Sequence, residues 1–256
     1  MTRPEYRLDV RVRVAHLYPE YLNIYADRGN IAVLERRAVW RGVGIEIAPV
    51  GVGDPVPADA DLFYVGGGQD REQALIASDL SDKGPALTAA VTRGATLLAV
   101  CGGYQLLGRS YIDRSGARLE GVGLFPHETV AGDRRMIGDI LLECDLGSGR
   151  RSLAGFENHA GRTFLDGGAE PLGRVVSGFG NNGEDGFEGC RLGRAIGTYL
   201  HGPLLPRNPW LADWLLAQAV GGKTDDPPEL ANLDDSLEER AHEVAASRAR
   251  VRGGRY

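Results

Sequence analysis

The sequence predicts an α/β fold: a three-layer sandwich around a mostly parallel central sheet. Three observations carry that expectation. Apolar runs of strand length, at residues 45–50, 62–65 and 96–100, alternate with stretches of helical spacing. The links between them are short, and strand–helix–strand units with short links pack as parallel strands covered on both faces. Two of the runs end in glycine-rich turns, Gly66-Gly67-Gly68 and Cys101-Gly102-Gly103, and open α/β sheets hold their ligands beyond such C-terminal strand ends.

Each element follows in order. Residues 8–15 alternate apolar and charged side chains, the pattern of a strand with one wet face. A polar and aromatic loop with Asn23, Tyr25, Asp27 and Arg28 follows. Asn30 reads as the cap of a helix to about Arg41, with Ile31, Leu34, Ala38 and Val39 as its apolar positions. After strands at 45–50 and 62–65, two helices are expected, from Arg71 to Leu80 and from Pro85 to Arg93, and then the strand 96–100. The second half is richer in β-structure, with strands expected at 137–144, at Phe164-Leu165, at 174–176 and at 195–200. Residues 181–186 read as a tight turn between strands. Asn208 reads as the cap of a helix through Val220, with Trp210, Leu211, Trp214 and Leu215 on its apolar side and Gly221-Gly222 closing it. Residues 1–222 are therefore expected to form one domain. Residues 223–256 are expected to be a polar linker and a charged C-terminal helix and tail, with Leu237, Ala241, Val244 and Ala245 at helical spacing. That helix is read as serving a partner or as packing loosely on its own domain.

Composition narrows the class. The chain has 256 residues, 43% hydrophobic and 25% charged, which suits one sizeable domain with an extension. A net charge of −6 and scattered basic residues give no footprint for nucleic acid. No apolar run approaches the roughly 18–20 residues of a membrane span. No apolar signal region precedes residue 8, so a cytoplasmic location is expected. Cys101, Cys144 and Cys190 form an odd, sparse set without zinc-ligand spacing, as in a reducing compartment.

The chemistry centres on Cys101. A buried strand, a turn with small neighbours (Ala99, Gly102, Gly103) and a helix start make a nucleophile elbow with cysteine at its apex. A helix N-terminus just behind the thiol favours the thiolate. Of the five histidines, His201 ends an apolar strand before Gly202-Pro203, which places it at the same sheet edge as Cys101 and makes it the expected base. His159 is a second candidate, to orient a loop or contact substrate. Acyl transfer also needs an oxyanion hole, and the backbone N–H groups of Gly67 or Gly68 and of Gly102 are its natural donors. Arg134 or Arg135 could anchor a substrate carboxylate by a bidentate pair.

Residues 99–108, Ala-Val-Cys-Gly-Gly-Tyr-Gln-Leu-Leu-Gly, resemble the nucleophile motif of the class I glutamine amidotransferases. The loop 66–68 resembles that family's oxyanion loop, and His201 its catalytic histidine. The blocks 23–30, 37–42 and 197–209 narrow the resemblance to GatD-type glutaminase subunits, and the similarity spans residues 8–220. The resemblance implies a flavodoxin-like fold of the amidotransferase type. It implies a γ-glutamyl thioester on Cys101, proton transfer by His201, and L-glutamine held by Arg135, with Gln105 also at the substrate. It implies a heterodimer with the Mur-ligase-like synthetase subunit MurT, which receives the ammonia and amidates the D-glutamate of the lipid II stem peptide. No Walker-type Gly-x-x-x-x-Gly-Lys-Ser/Thr phosphate loop exists in this chain, so no cofactor is expected here, and ATP and metal are expected on the partner. Triad enzymes of the class place an acid two residues after the histidine. Position 203 is proline, so a Cys101–His201 dyad is expected. The rival readings are a subunit of a cobyrinate-type synthetase, a cysteine hydrolase of another kind, and an inactive scaffold on the same fold.

Overall fold

The computed structural model describes residues 10–24, 28–222 and 230–252. Its central sheet is built from β1 (Arg11–Leu17), β2 (Gly44–Val50), β3 (Leu62–Val65), β4 (Thr96–Val100), β11 (Cys190–Leu192) and β12 (Ala195–Thr198). The order is β11-β12-β4-β3-β1-β2, parallel throughout except for the antiparallel edge strand β11. Every residue of β3, β4 and β12 is buried, as continuous apolar runs in a doubly covered parallel sheet should be.

Helix α1 (Arg28–Trp40) connects β1 to β2, and α2 (Asp70–Thr92) connects β3 to β4. The two crossovers leave the sheet in opposite directions from β1 and β3, so right-handed connections place the helices on opposite faces. The loops after β1 and β3 diverge at that switch point, where such sheets bind ligands. The short helix α3 (Gly102–Leu107) and α4 (Pro209–Gly221) complete the layers.

A second sheet joins β5 (Ser110–Ile112), β6 (Arg118–Glu120), β7 (His127–Asp145), β8 (Arg150–Leu165), β9 (Gly173–Ser177) and β10 (Phe187–Glu188). Its spine is the long antiparallel hairpin β7–β8, whose register breaks between Ala131 and Met136. A bridge between Phe156 and His201 ties that hairpin to the chain leaving β12.

Several expected details change. Asn30 does not cap α1. It is the third residue of the helix and fully buried. Val39 is exposed, while Arg37 within α1 and Arg41 just beyond its end are buried. The Arg37 guanidinium is forked between Asp213 of α4 and Asp235, and Arg41 reaches Asp213 and the Ala231 carbonyl. The two helices expected over 71–93 are one continuous α2 with Pro85 inside it. A proline inside a helix costs about 3 kcal/mol. Burial of Ile76, Leu80, Leu87 and Ala90 along a single face on both sides of Pro85 outweighs that cost. Asp79 also pins the middle of the helix, accepting from the Tyr18 hydroxyl at 2.6 Å and pairing with Lys83.

Asn208 precedes α4 but makes no side-chain cap bond. Its amide instead pairs with both backbone groups of Ala154 on β8. The charged C-terminal segment forms α5 (Ser236–Arg252), packed on the hairpin sheet. Its buried residues are Ala246 and Ala249, while Leu237, Ala241 and Val244 face outward. Ser177 Oγ donates to the Ala249 carbonyl at 2.6 Å, tying the helix to β9. The linker residues 223–228 lie outside the described residues.

Candidate active site

The elbow forms as its sequence dictates. Cys101 closes β4 and opens α3 with φ 48° and ψ −106°, and Tyr18 is the other non-glycine residue with positive φ among the described residues. Such a conformation costs about 1–3 kcal/mol and persists only where its surroundings impose it. Here they do. The Cys101 N–H donates to the Thr198 carbonyl of β12 at 2.8 Å, and the Gln105 N–H closes the first helical turn on the Cys101 carbonyl at 2.9 Å.

Glycine is required behind the thiol because the loop after β3 passes against it. The Gly103 N–H donates to the Gly66 carbonyl at 3.1 Å. A Cβ on Gly102 would stand 2.8 Å from the Gly68 carbonyl oxygen and 2.9 Å from the Gly68 nitrogen. The two glycine-rich turns, more than thirty residues apart in sequence, are therefore in backbone contact. Gly67 also holds the switch-point loop, its carbonyl accepting from the Ile24 N–H at 3.1 Å.

Cys101 opens into a cavity of about 530 Å³ whose walls include Gly68, Gln105, Tyr111, Arg135, Asn158 and His159. Arg135 comes from the irregular part of β7 and is held by Asn158 of β8, with Nε donating to Asn158 Oδ1 at 2.9 Å and Nη2 to its carbonyl at 3.1 Å. Gln105 is buried between Gln73 and Tyr199, accepting from Gln73 Nε2 at 2.9 Å and donating to the Tyr199 hydroxyl at 3.1 Å. Gln73 Nε2 also donates to the Gly68 carbonyl at 3.2 Å, so α2, the glycine loop and α3 share one polar anchor.

His201 sits three residues beyond Thr198, which pairs with Val100, the residue before Cys101. It is fully buried. Its backbone is clamped to Phe156, N–H to carbonyl at 2.7 Å and carbonyl from N–H at 3.2 Å. The cavity wall carries His159 rather than His201. The His159 ring stacks on Tyr199 at 3.6 Å, and its Nδ1 is bonded to the Gly161 carbonyl.

Two carboxylates are buried on this side of the sheet. Glu157 accepts from the backbone N–H groups of Phe179 and Gly180. Glu188 accepts from the Tyr199 N–H at 2.6 Å and from the Thr198 hydroxyl. Burial pushes the Glu188 carboxyl up to about 8 against the pull of those bonds. Glu157 Oε2 also stands 3.7 Å from Nε2 of His159, the histidine on the cavity wall. Burial also pushes the thiols of Cys144 and Cys190 up to about 12, which makes them inert.

Cys101, Gly68, Gln105 and Arg135 thus meet at one cavity. Gly67 and Gly102 support it through the backbone, and His201 follows the neighbouring strand β12 without lining the cavity. Sequence reasoning missed Gln73 and Tyr111. Gln73 carried a usable signal, a polar residue on the inward face of an amphipathic helix. Tyr111 carried none. No cluster of His, Cys, Asp and Glu able to hold a metal occurs among the described residues.

Solved structures place the architecture. The PurLQS structure of Thermotoga maritima superposes with a TM-score of 0.56 at 19% identity, covering 82% of this chain and 95% of that one. A glutamine amidotransferase of Thermotoga maritima gives 0.52 at 16% identity, covering 94% and 96%. The fold is that of the class I glutamine amidotransferases.

The chain belongs to the CobB/CobQ-like glutamine amidotransferase family, whose domain matches residues 13–209. It is 40% identical over 237 residues to the lipid II isoglutaminyl synthase (glutamine-hydrolyzing) subunit GatD of Staphylococcus aureus, covering 92% of this chain and 95% of that one. The subunit of the same name in Streptococcus pneumoniae is 38% identical over 235 residues, covering 91% and 90%. A cobyric acid synthase of Jannaschia sp. is 33% identical over 186 residues, 69% of this chain and 37% of that one. No helix among the described residues is long and apolar enough to cross a membrane.

Proposed function

We propose that this chain is the glutamine-hydrolysing subunit of a lipid II isoglutaminyl synthase. The observation that carries the reading is the strained cysteine elbow opening into the same cavity as an oriented arginine. The near full-length similarity to two GatD subunits supports it.

In this mechanism Arg135 holds the α-carboxylate of L-glutamine and presents the side-chain amide to Cys101. The sulfur attacks the amide carbon, and the thiol proton passes to His201. The resulting oxyanion lies against the N–H groups of Gly68 and Gly102, with Gly67 holding the loop. Collapse expels ammonia with the proton from His201 and leaves a γ-glutamyl thioester. His201 then takes a proton from water, which attacks the thioester; the C–S bond breaks, glutamate leaves, and His201 returns the proton to the Cys101 sulfur. Ammonia passes to a Mur-ligase-like partner, MurT, in a cytoplasmic heterodimer. The partner binds ATP and metal, activates the α-carboxyl of the stem-peptide D-glutamate and amidates it to D-isoglutamine.

The test is ammonia release from L-glutamine by the chain co-purified with its synthetase partner. Cys101→Ala and His201→Ala are each expected to lower kcat by at least about 10³-fold. A reactive glutamine analogue should label Cys101. Labelling of Cys144 or Cys190, or full activity in Cys101→Ala, overturns the mechanism.

A further inference from the structure

The block Arg28-Gly29-Asn30 has no part in the chemistry above, yet it meets the loop that carries His201. Asn30 is fully buried in the first turn of α1. Its Nδ2 donates to the Tyr64 hydroxyl at 3.0 Å, and its Oδ1 accepts from the Leu205 N–H at 2.9 Å. Tyr64 lies on β3, two residues before the glycine loop 66–68. Leu205 lies four residues after His201. Beside it, Gly29 admits Pro203, and a Cβ at that position would stand 2.6 Å from Pro203 Cγ.

From this geometry we infer that Asn30 is a positioning residue for His201, pinning the histidine loop to the strand that carries the oxyanion loop. The inference rests on the glutaminase reading. The 201–208 loop that carries His201 is gripped from two sides. On one side β8 holds it, through the Phe156–His201 bridge and through Asn208, whose amide bonds Ala154 and the Leu204 carbonyl. On the other side α1 holds it through Asn30. The position calls for a donor and an acceptor on one short, planar group, which an amide supplies. A helix cap would use its oxygen on its own helix. Asn30 instead sends its oxygen to a residue 175 positions away.

The test uses the full chain with its partner and reads two quantities. One is the pH profile of Cys101 alkylation by iodoacetamide, followed residue by residue by mass spectrometry. The other is steady-state glutaminase kinetics. His201→Ala is expected to move the alkylation profile to higher pH. Asn30→Ala should move it the same way and lower kcat about 10- to 100-fold, the scale of a small misplacement of a catalytic group. KM for glutamine should stay within about threefold, because Arg135 and Gln105 sit on other elements. Asn30→Asp should recover activity to within about fivefold of wild type. A carboxylate accepts from both Leu205 and Tyr64, and its protonated form has the donor and acceptor of the amide.

An Asn30→Ala protein with the wild-type profile and kcat overturns the inference. So does a loss confined to KM, or an Asn30→Asp no better than Asn30→Ala. If Asn30→Ala does not fold, Tyr64→Phe breaks the sheet half of the pin and is expected to lower kcat about 3- to 10-fold at constant KM. An unchanged kcat then overturns it. If wild type and His201→Ala titrate alike, the dyad itself fails and the inference falls with it. That outcome is distinct from one in which only the Asn30 variants behave as wild type.

Discussion

Replacing Gly102 by alanine perturbs the oxyanion loop without touching the thiol. Gly102 is a helical residue, so alanine adds no backbone strain there. The new methyl group would lie 2.8 Å from the Gly68 oxygen and 2.9 Å from both the Gly68 nitrogen and Gln73 Nε2. Non-bonded heavy atoms settle near 3.5 Å, so the Gly68 peptide must retreat by about 0.6 Å. A hydrogen-bond donor to an oxyanion works within about 2.7–3.1 Å, and losing one costs about 10²- to 10³-fold in kcat, or about 2.7–4 kcal/mol. Gly102→Ala is therefore expected to lower kcat by about two orders of magnitude. KM should change by less than about threefold, since the ground-state contacts lie at Arg135. The assay is glutamate or ammonia release under steady state, with thermal melting to confirm folding and alkylation of Cys101 to confirm an accessible thiol. A folded Gly102→Ala enzyme with wild-type kcat refutes the assignment of Gly68 as a donor. A defect confined to KM refutes it equally.

Two further predictions concern stability. Burial holds the Glu188 carboxyl at about 8 against an ordinary value of 4.5, so the folded chain keeps a proton that the unfolded chain has released. Stability should then fall as pH rises through that window and level off above it, with a total on the order of a few kcal/mol. Glu188→Gln should flatten this slope in urea unfolding midpoints measured from pH 5 to pH 9, and parallel curves refute the assignment. The Arg37 guanidinium is 2% exposed and serves Asp213 and Asp235, which are 26% and 20% exposed. Removing it in Arg37→Ala strands Asp235 and leaves Asp213 with Arg41 alone, at a cost of about 3 kcal/mol. For a chain of this size that is a drop of roughly 6–12 °C in Tm, read by calorimetry. An unchanged Tm shows that the cluster does not fasten α4 and the 230–235 segment to α1.

The parts of the site that were legible in the sequence are local ones. Strand, cysteine and two glycines announce an elbow within a dozen residues, because a sharp strand-to-helix turn has a strict steric requirement. The glycine run 66–68 and His201 were legible for the same reason, each ending an apolar strand. The errors arose where a side chain answers to a distant partner. Asn30 has the residue type of a cap, and Tyr64 and Leu205 draw it inward. Pro85 has the residue type of a break, and one continuous buried face keeps α2 whole. In α5 the larger apolar residues mark one face, and the face that packs on the hairpin is that of Ala246 and Ala249, against Leu141 and Ala154.

By itself, then, the sequence determined the fold class, the cysteine elbow, the placement of His201 after an apolar strand, and the glycines that backbone contact demands. These follow from short-range sterics and from the period of apolar residues. Only the tertiary structure decided which loops meet. Strand order β12-β4-β3-β1 sets His201, Cys101, the glycine loop and the switch-point loop side by side. The long hairpin brings Arg135 from a separate sheet to the cavity that Cys101 lines. Such adjacency comes from hydrogen-bonded pairing between segments far apart in the chain, and no local pattern of residues encodes it.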